Sequence, residues 1–115
     1  MDEISAAVLK KALDGLSMRY SYIAQNIANA NSPNYSPVKV SFEDELRSAA
    51  ARGLGAIQDM KPQAEVSQRD LVSPEMRLDL ELADASQTSM RYRAMLEILG
   101  QQMALHRAVV SEGGR

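Results

Sequence analysis

Apolar side chains recur at steps of four and three over both ends of the chain and lose that rhythm in the middle. From about Asp2 to Asn29 the positions Leu9, Leu13, Leu16, Tyr20, Ile23, Ile27 and Ala30 alternate in this way. That is the period of a heptad seam on one helix face. About 28 helical residues span roughly 42 Å, longer than a usual globular helix. Gly15 interrupts the pattern at ~1 kcal/mol relative to Ala. It reads either as the close approach of another helix or as a tolerated glycine. A second long helix is expected from Ser73-Pro74-Glu75, a capping residue, a first-position proline and an acidic first turn, to about Ser111. Leu78, Leu82, Ala85, Ser89, Tyr92, Leu96, Leu99, Met103, His106 and Val110 again alternate by four and three. A further apolar row holds Met76, Leu80, Ala83, Met90 and Ala94, and Glu112-Gly113-Gly114-Arg115 ends the helix.

The middle carries stop signals. Asn29-Ala30-Asn31-Ser32-Pro33-Asn34 ends the first helix, with Pro33 biasing Ser32 toward extended geometry. Tyr35 to Phe42 reads as an extended segment, with Val38 and Val40 on one side and Pro37 arguing against a central strand. Ser41 is positioned to cap a short helix, about Phe42 to Arg52, whose first turn holds Glu43-Asp44-Glu45. From Gly53 to Ser73 there is little periodicity, so a connection is expected that partners order or that stays disordered until they arrive.

These elements predict an all-α fold and one structural domain. Residues 1–30 form a coiled-coil helix, 31–73 an extended loop segment with one short helix, and 74–115 a second coiled-coil helix. The two end helices would form an antiparallel coiled-coil hairpin, with Tyr20 opposite Tyr92, Leu16 opposite Leu96 and Leu13 opposite Leu99. The hairpin or assembly seam would use Leu9, Leu13, Leu16, Tyr20, Ile23 and Ile27 against Leu78, Leu82, Tyr92, Leu96, Leu99 and Met103. Such a pair leaves Met76, Leu80 and Met90 without cover, which implies a partner.

Composition supports helix on helix. The 115 residues are 45% hydrophobic, with one Phe, no Trp and 7 Met, a set that packs without large flat surfaces. Thirteen basic against fifteen acidic side chains leave a net charge of -2, so no cationic excess exists to bind nucleic acid. Cysteine is absent. Met1-Asp2-Glu3-Ile4 is acidic where a secretory signal is basic, and no apolar run is long enough to span a bilayer. On composition the chain is soluble and cytoplasmic, unless a dedicated export machine reads an uncleaved N-terminus.

Candidate chemistry is sparse. His106, the one histidine, lies in the seam and reads as a core or boundary residue. Asp79, Glu81 and Asp84 lack a His or a glycine-turned loop and read as a solvated face rather than metal ligands. Gly53-Leu54-Gly55 lacks the phosphate-loop lysine. Arg91 and Arg93 flank Tyr92 and could bridge to carboxylates within or between chains. Tyr20 and Tyr92 read as core, their hydroxyls reaching water or a partner. No catalytic, metal or cofactor site is expected, and no small-molecule substrate.

The segment Gln25-Asn26-Ile27-Ala28-Asn29-Ala30-Asn31-Ser32-Pro33-Asn34-Tyr35 resembles the signature of the flagellar rod and hook family, N-[IL]-A-N-[AV]-x-T-P-G-Y. Asn26, Ile27, Ala28, Asn29, Ala30, Pro33 and Tyr35 fit; Ser32 stands for Thr, and Asn34 for Gly. Asn is the next best residue at positive φ. Leu78-Asp79-Leu80-Glu81-Leu82-Ala83 and Met90-Arg91-Tyr92-Arg93-Ala94 look like the V-D-L-E and L-x-Y-Q-A stretches of the short proximal rod members, with Arg93 for Gln. The Gly-Asn that often precedes the acidic stretch is missing. Phe42-Glu43-Asp44-Glu45-Leu46 is similar to the segment after the family's signature. The resemblance implies a basal-body subunit, exported by the flagellar type III apparatus without signal cleavage and assembled above the inner membrane ring. Implied partners are copies of itself, other rod subunits, and the ring with its adaptor to the rod. Alternatives are another short rod subunit or a cytoplasmic helical-hairpin adaptor or chaperone, which has no need for the Asn26–Tyr35 helix exit.

Overall fold

A computed structural model describes residues 1–113; Gly114 and Arg115, placed by the sequence at the end of the second long helix, lie outside the described residues. The elements in order are α1 (Glu3–Ala28), β1 (Val38–Ser41), α2 (Glu43–Arg52), α3 (Leu54–Asp59), β2 (Gln63–Val66), a 3-10 turn (Gln68–Leu71) and α4 (Pro74–Gly113). The molecule measures 64 × 26 × 14 Å, one long plate.

Both long helices start on side-chain caps. Asp2 accepts a bond from the Ser5 amide at 2.6 Å, which satisfies an orphan donor and holds the Asp2 carboxyl below its ordinary pKa. Ser73 Oγ accepts from the Met76 amide at 3.2 Å, and Pro74 and Glu75 follow where the sequence puts the first turn. α4 runs 40 residues, about 60 Å, against 26 residues for α1, about 39 Å. α1 therefore runs out before α4 does.

The two helices pack side by side with contacts in opposite chain order. Asn26 near the end of α1 bonds Glu81 near the start of α4. Tyr92 and Met95 further along α4 pack on the cluster that includes Ala12 and Leu16. The side chains of α4 withdrawn from solvent are Leu78, Glu81, Ala85, Thr88, Tyr92, Met95 and Leu99, among others. Half of the expected row is there, but its alternate members are displaced by one residue. Leu82, Leu96 and Met103 are 51%, 45% and 53% exposed, while Glu81, Thr88 and Met95 face inward. On α1, Leu9, Leu13, Leu16 and Ile23 are buried, Ile27 is half-buried and Tyr20 is 50% exposed.

The core does not lie along a two-helix seam. It joins Ala12 and Leu16 of α1 to Val40, Phe42, Leu46, Ala49, Ile57 and Met60, with α4 supplying half-buried Tyr92 and Met95. Among the described residues Leu16 and Ile57 are the largest side chains fully out of water, each worth about 1.5–3 kcal/mol. Phe42 explains Gly15. A Cβ there would stand 2.5 Å from Phe42 Cδ1, so the close approach is an aromatic ring's and not another helix's.

Three expectations change in the middle of the chain. The chain is mostly helical, but β1 pairs antiparallel with β2, Val38 opposite Val66 and Val40 opposite Ala64. Val40 turns into the core while Lys39 and Ser41 face out, the alternation that a half-buried strand requires. Pro37 precedes the strand and uses its carbonyl, which accepts from the Ser67 amide at 2.8 Å. The stretch from Gly53 to Ser73 has structure of its own: α3, β2 and the 3-10 turn. Its polarity hid this, because every residue of β2 is exposed. Gly53, at φ 113, joins α2 to α3 in a backbone conformation that favours glycine. Finally, Ser41 does not cap α2. Phe42 holds that position without a side-chain bond, its ring is buried, and Ser41 Oγ instead donates to Glu65.

Candidate functional site

The helix exit and the start of α4 meet at one polar junction. α1 ends where Asn29 donates its side-chain amide to the Gln25 carbonyl at 2.9 Å and Ser32 Oγ donates to Asn29 Oδ1 at 3.2 Å. A backbone bond from the Ser32 amide to the Asn29 carbonyl tightens the turn. Pro33 follows, and Asn34 adopts φ 63, the left-handed conformation in which Asn is the best substitute for Gly. The chain then doubles back. Tyr35 donates its hydroxyl to Asn26 Oδ1 at 2.8 Å, and the Val38 amide donates to the same oxygen at 3.0 Å.

Asn26 is buried and uses both ends of its amide. Its nitrogen donates to the Val38 carbonyl at 2.8 Å and to Glu81 Oε2 at 3.2 Å. One side chain thus pins the exit strand and reaches 55 residues along the chain to the acidic stretch of α4. Glu81 is itself buried and also accepts from Arg69 Nη1 at 3.1 Å. The other arm of Arg69 meets Asp84 at 2.7 Å. Partial burial works against the Arg69 cation, but Asp84 and then Glu81 outweigh it, so its pKa is raised. Burial, and then the nearby Glu81 charge, push the Tyr35 hydroxyl pKa up. On the far side Arg77 donates to the Ala30 carbonyl at 3.4 Å, and its buried Nε has no partner within the described residues.

A second ion cluster braces the middle of α1. Arg19 forks onto both Glu43 oxygens, each at 2.7 Å, donates to the Val40 carbonyl and stacks 4.8 Å from the Phe42 ring centre. The hydrogen bond from Arg19 is the main reason Glu43 is held below its ordinary pKa. Arg91 of α4 approaches the same carboxylate at 3.4 Å, so it bridges within the chain. Between the clusters lies a cleft of about 270 Å³ with Ile23, Val38 and Thr88 among its walls. Tyr20 and Tyr92 line a separate groove, floored by Leu16 and Thr88.

Placement of the expected residues is uneven. The signature positions Asn26, Asn29 and Tyr35 converge on the junction, Asn26 with Glu81. Ile27 and Ala30 are half-buried beside them, while Ala28 and Pro33 face solvent. Glu81 and Asp84 are drawn onto Arg69, Asp79 is exposed, and His106 stands on the exposed end of α4. The sequence reading missed Arg19, Arg69 and Arg77. Their partners sit 12 to 47 residues away, and such pairs leave no local period. The available signal was a polar residue, Asn26 or Thr88, inside an apolar face.

No family model matches the chain. The flagellar basal body rod protein FlgB of Borrelia hermsii is 49% identical over 47 residues, 41% of this chain and 35% of that protein. The FlgB protein of Borreliella burgdorferi is 54% identical over 37 residues, 32% of this chain and 27% of that protein. The chain resembles FlgB-type rod proteins, and the matched stretches span well under half the length of those relatives.

Proposed function

We propose that the chain is a non-enzymatic structural subunit of the bacterial flagellar basal-body rod, of the proximal type, and that it self-assembles into the base of a helical tube that transmits torque. The similarity to FlgB proteins supports the rod. The observation that carries the assembly reading is the apolar surface left uncovered on α4. Leu96, Met103, Leu105, Val109 and Val110 are all exposed, and α1 is too short to reach the last of them. An uncovered apolar row of this length signals a partner. Leu82, Leu96 and Met103 then serve contacts between subunits, and Leu9, Leu13, Leu16, Ile23, Leu78, Tyr92 and Leu99 serve the pairing of α1 with α4. In the assembled rod the two end helices form the antiparallel coiled-coil hairpin. Partners are copies of the chain, the next rod subunit, and the membrane ring with its adaptor. Residence is on the periplasmic side of the inner membrane, after export without a cleaved signal.

The test is a double variant, Leu105→Asp with Val109→Asp. Neither side chain is packed in the isolated subunit, so the purified variant is expected to keep the wild-type helix content and denaturation midpoint. Cells carrying it are expected to lose the rod from isolated basal bodies, and to lose swimming. Normal swimming with the variant present in basal bodies would rule out this face as an assembly contact.

A further inference from the structure

The segment from Lys61 to Val72 straps the end of α3 to the start of α4 and lies over the junction of α1, β1 and α4. Among its described side chains only Ser67 is buried, with Pro62, Arg69 and Val72 half-buried. β2 has no buried side chain, and its cross-strand ties, Lys39 to Glu65 at 3.9 Å and Ser41 to Glu65 at 3.0 Å, are exposed. Exposed pairs contribute little. Ser67 is buried, but its hydroxyl accepts from the Arg69 amide of the strap itself, and its own amide makes one backbone bond to Pro37. Arg69 differs. Its side chain is 28% exposed and reaches two carboxylates of α4, the Glu81 side chain at 5% exposure and that of Asp84 at 39%. A planar fork spanning two acids in a shielded site is the strongest attachment the strap makes among the described residues.

We infer that Arg69 is a latch, and that the strap opens as a unit, ahead of the rest of the fold, when the Arg69 fork leaves Glu81 and Asp84. Opening breaks the β1–β2 ladder and uncovers the β1 edge, Val40 included, but it removes no side chain from the core cluster around Leu16 and Ile57, whose described members all lie outside Lys61–Val72. Segments with few buried apolar contacts open below the global unfolding free energy. Glu81 keeps its bond from Asn26, so the helix exit stays closed while the strap is free. The inference concerns the single subunit and does not depend on the assembly reading.

Native-state hydrogen exchange on the purified chain tests it. In the wild type, the β1–β2 ladder amides and the Ser67 amide are expected to exchange together, faster than the amides of α1 around Leu16. Arg69→Gln should accelerate that group at least ~10-fold, the loss expected for a charged hydrogen bond, with the group still exchanging faster than the α1 amides. Arg69→Lys, which cannot span both acids, should recover part of the protection. Lys39→Gln, on an exposed pair, should change it less than ~2-fold. Ladder amides that exchange at the rate of the α1 core would overturn the inference. So would an Arg69→Gln variant whose ladder amides exchange at the wild-type rate.

Discussion

Asn26 satisfies four groups with one amide: the Val38 amide and carbonyl, the Tyr35 hydroxyl and the Glu81 carboxylate. A hydrocarbon side chain there leaves them short of partners in a buried place. Asn26→Ala is expected to lose about 2–3 kcal/mol of stability in denaturant titration; a loss within ~0.5 kcal/mol would mean water replaces the amide. Gly15 makes the opposite kind of demand, for space. Alanine is the better helix former by ~1 kcal/mol, yet its Cβ would enter the Phe42 ring. Gly15→Ala is expected to be destabilising by about 1–3 kcal/mol, with much of that recovered in the double variant Gly15→Ala, Phe42→Leu. A more stable single variant would show that Phe42 yields readily. Position 34 shows how far local chemistry could be read in advance. Asn was expected to take the glycine conformation of the turn, and it lies at φ 63.

At the scale of elements, Arg19 and Glu43 join α1 to the start of α2, and the pair gives acid sensitivity a definite sign. Glu43 titrates lower in the fold than its ordinary value of 4.5. Its contribution is complete above that value and is lost as pH falls through the lower folded one. The stability gap between wild type and Arg19→Met is therefore expected to narrow as pH drops from neutrality to below about 4.5. A gap that does not change with pH would remove Glu43 as the cause. The ends of α1, α2 and α4 were legible to within two residues, because caps, proline and dense acidic first turns are local signals. β1 was legible as the extended segment Tyr35 to Phe42 with Val38 and Val40 on one side, but its pairing, β2 and α3 were not. Gln63-Ala64-Glu65-Val66 has no alternating apolar face, and only its partner β1 makes it a strand. The face of α4 was half legible, since a heptad template selects Leu82 and Leu96, whereas the packed positions Glu81 and Thr88 are polar. The convergence of Asn26 with Glu81 lay beyond any local pattern, although each stretch carried its own family likeness.

The whole molecule is a plate 14 Å thick with one helix longer than the rest. Gly100 stands where α4 parts from the body: Leu99 and Gln102 are still half-covered, and the residues from Met103 to Glu112 are exposed. A Cβ at Gly100 would meet nothing within 4 Å. Gly100→Ala is thus expected to stabilise the chain by about 0.5–1 kcal/mol, read as a higher melting temperature; a lower one would mean that the glycine serves a packing contact. Considered as a mechanical part, α4 is a strut expected to be most compliant at Gly100, at the root of its cantilevered end. Strain applied to the tip is expected to concentrate there rather than at the polar junction around Asn26. The alanine variant moves that compliance elsewhere, so a stiffer tip would pass bending loads into the Asn26–Glu81–Arg69 joint, where the strap would be first to give way.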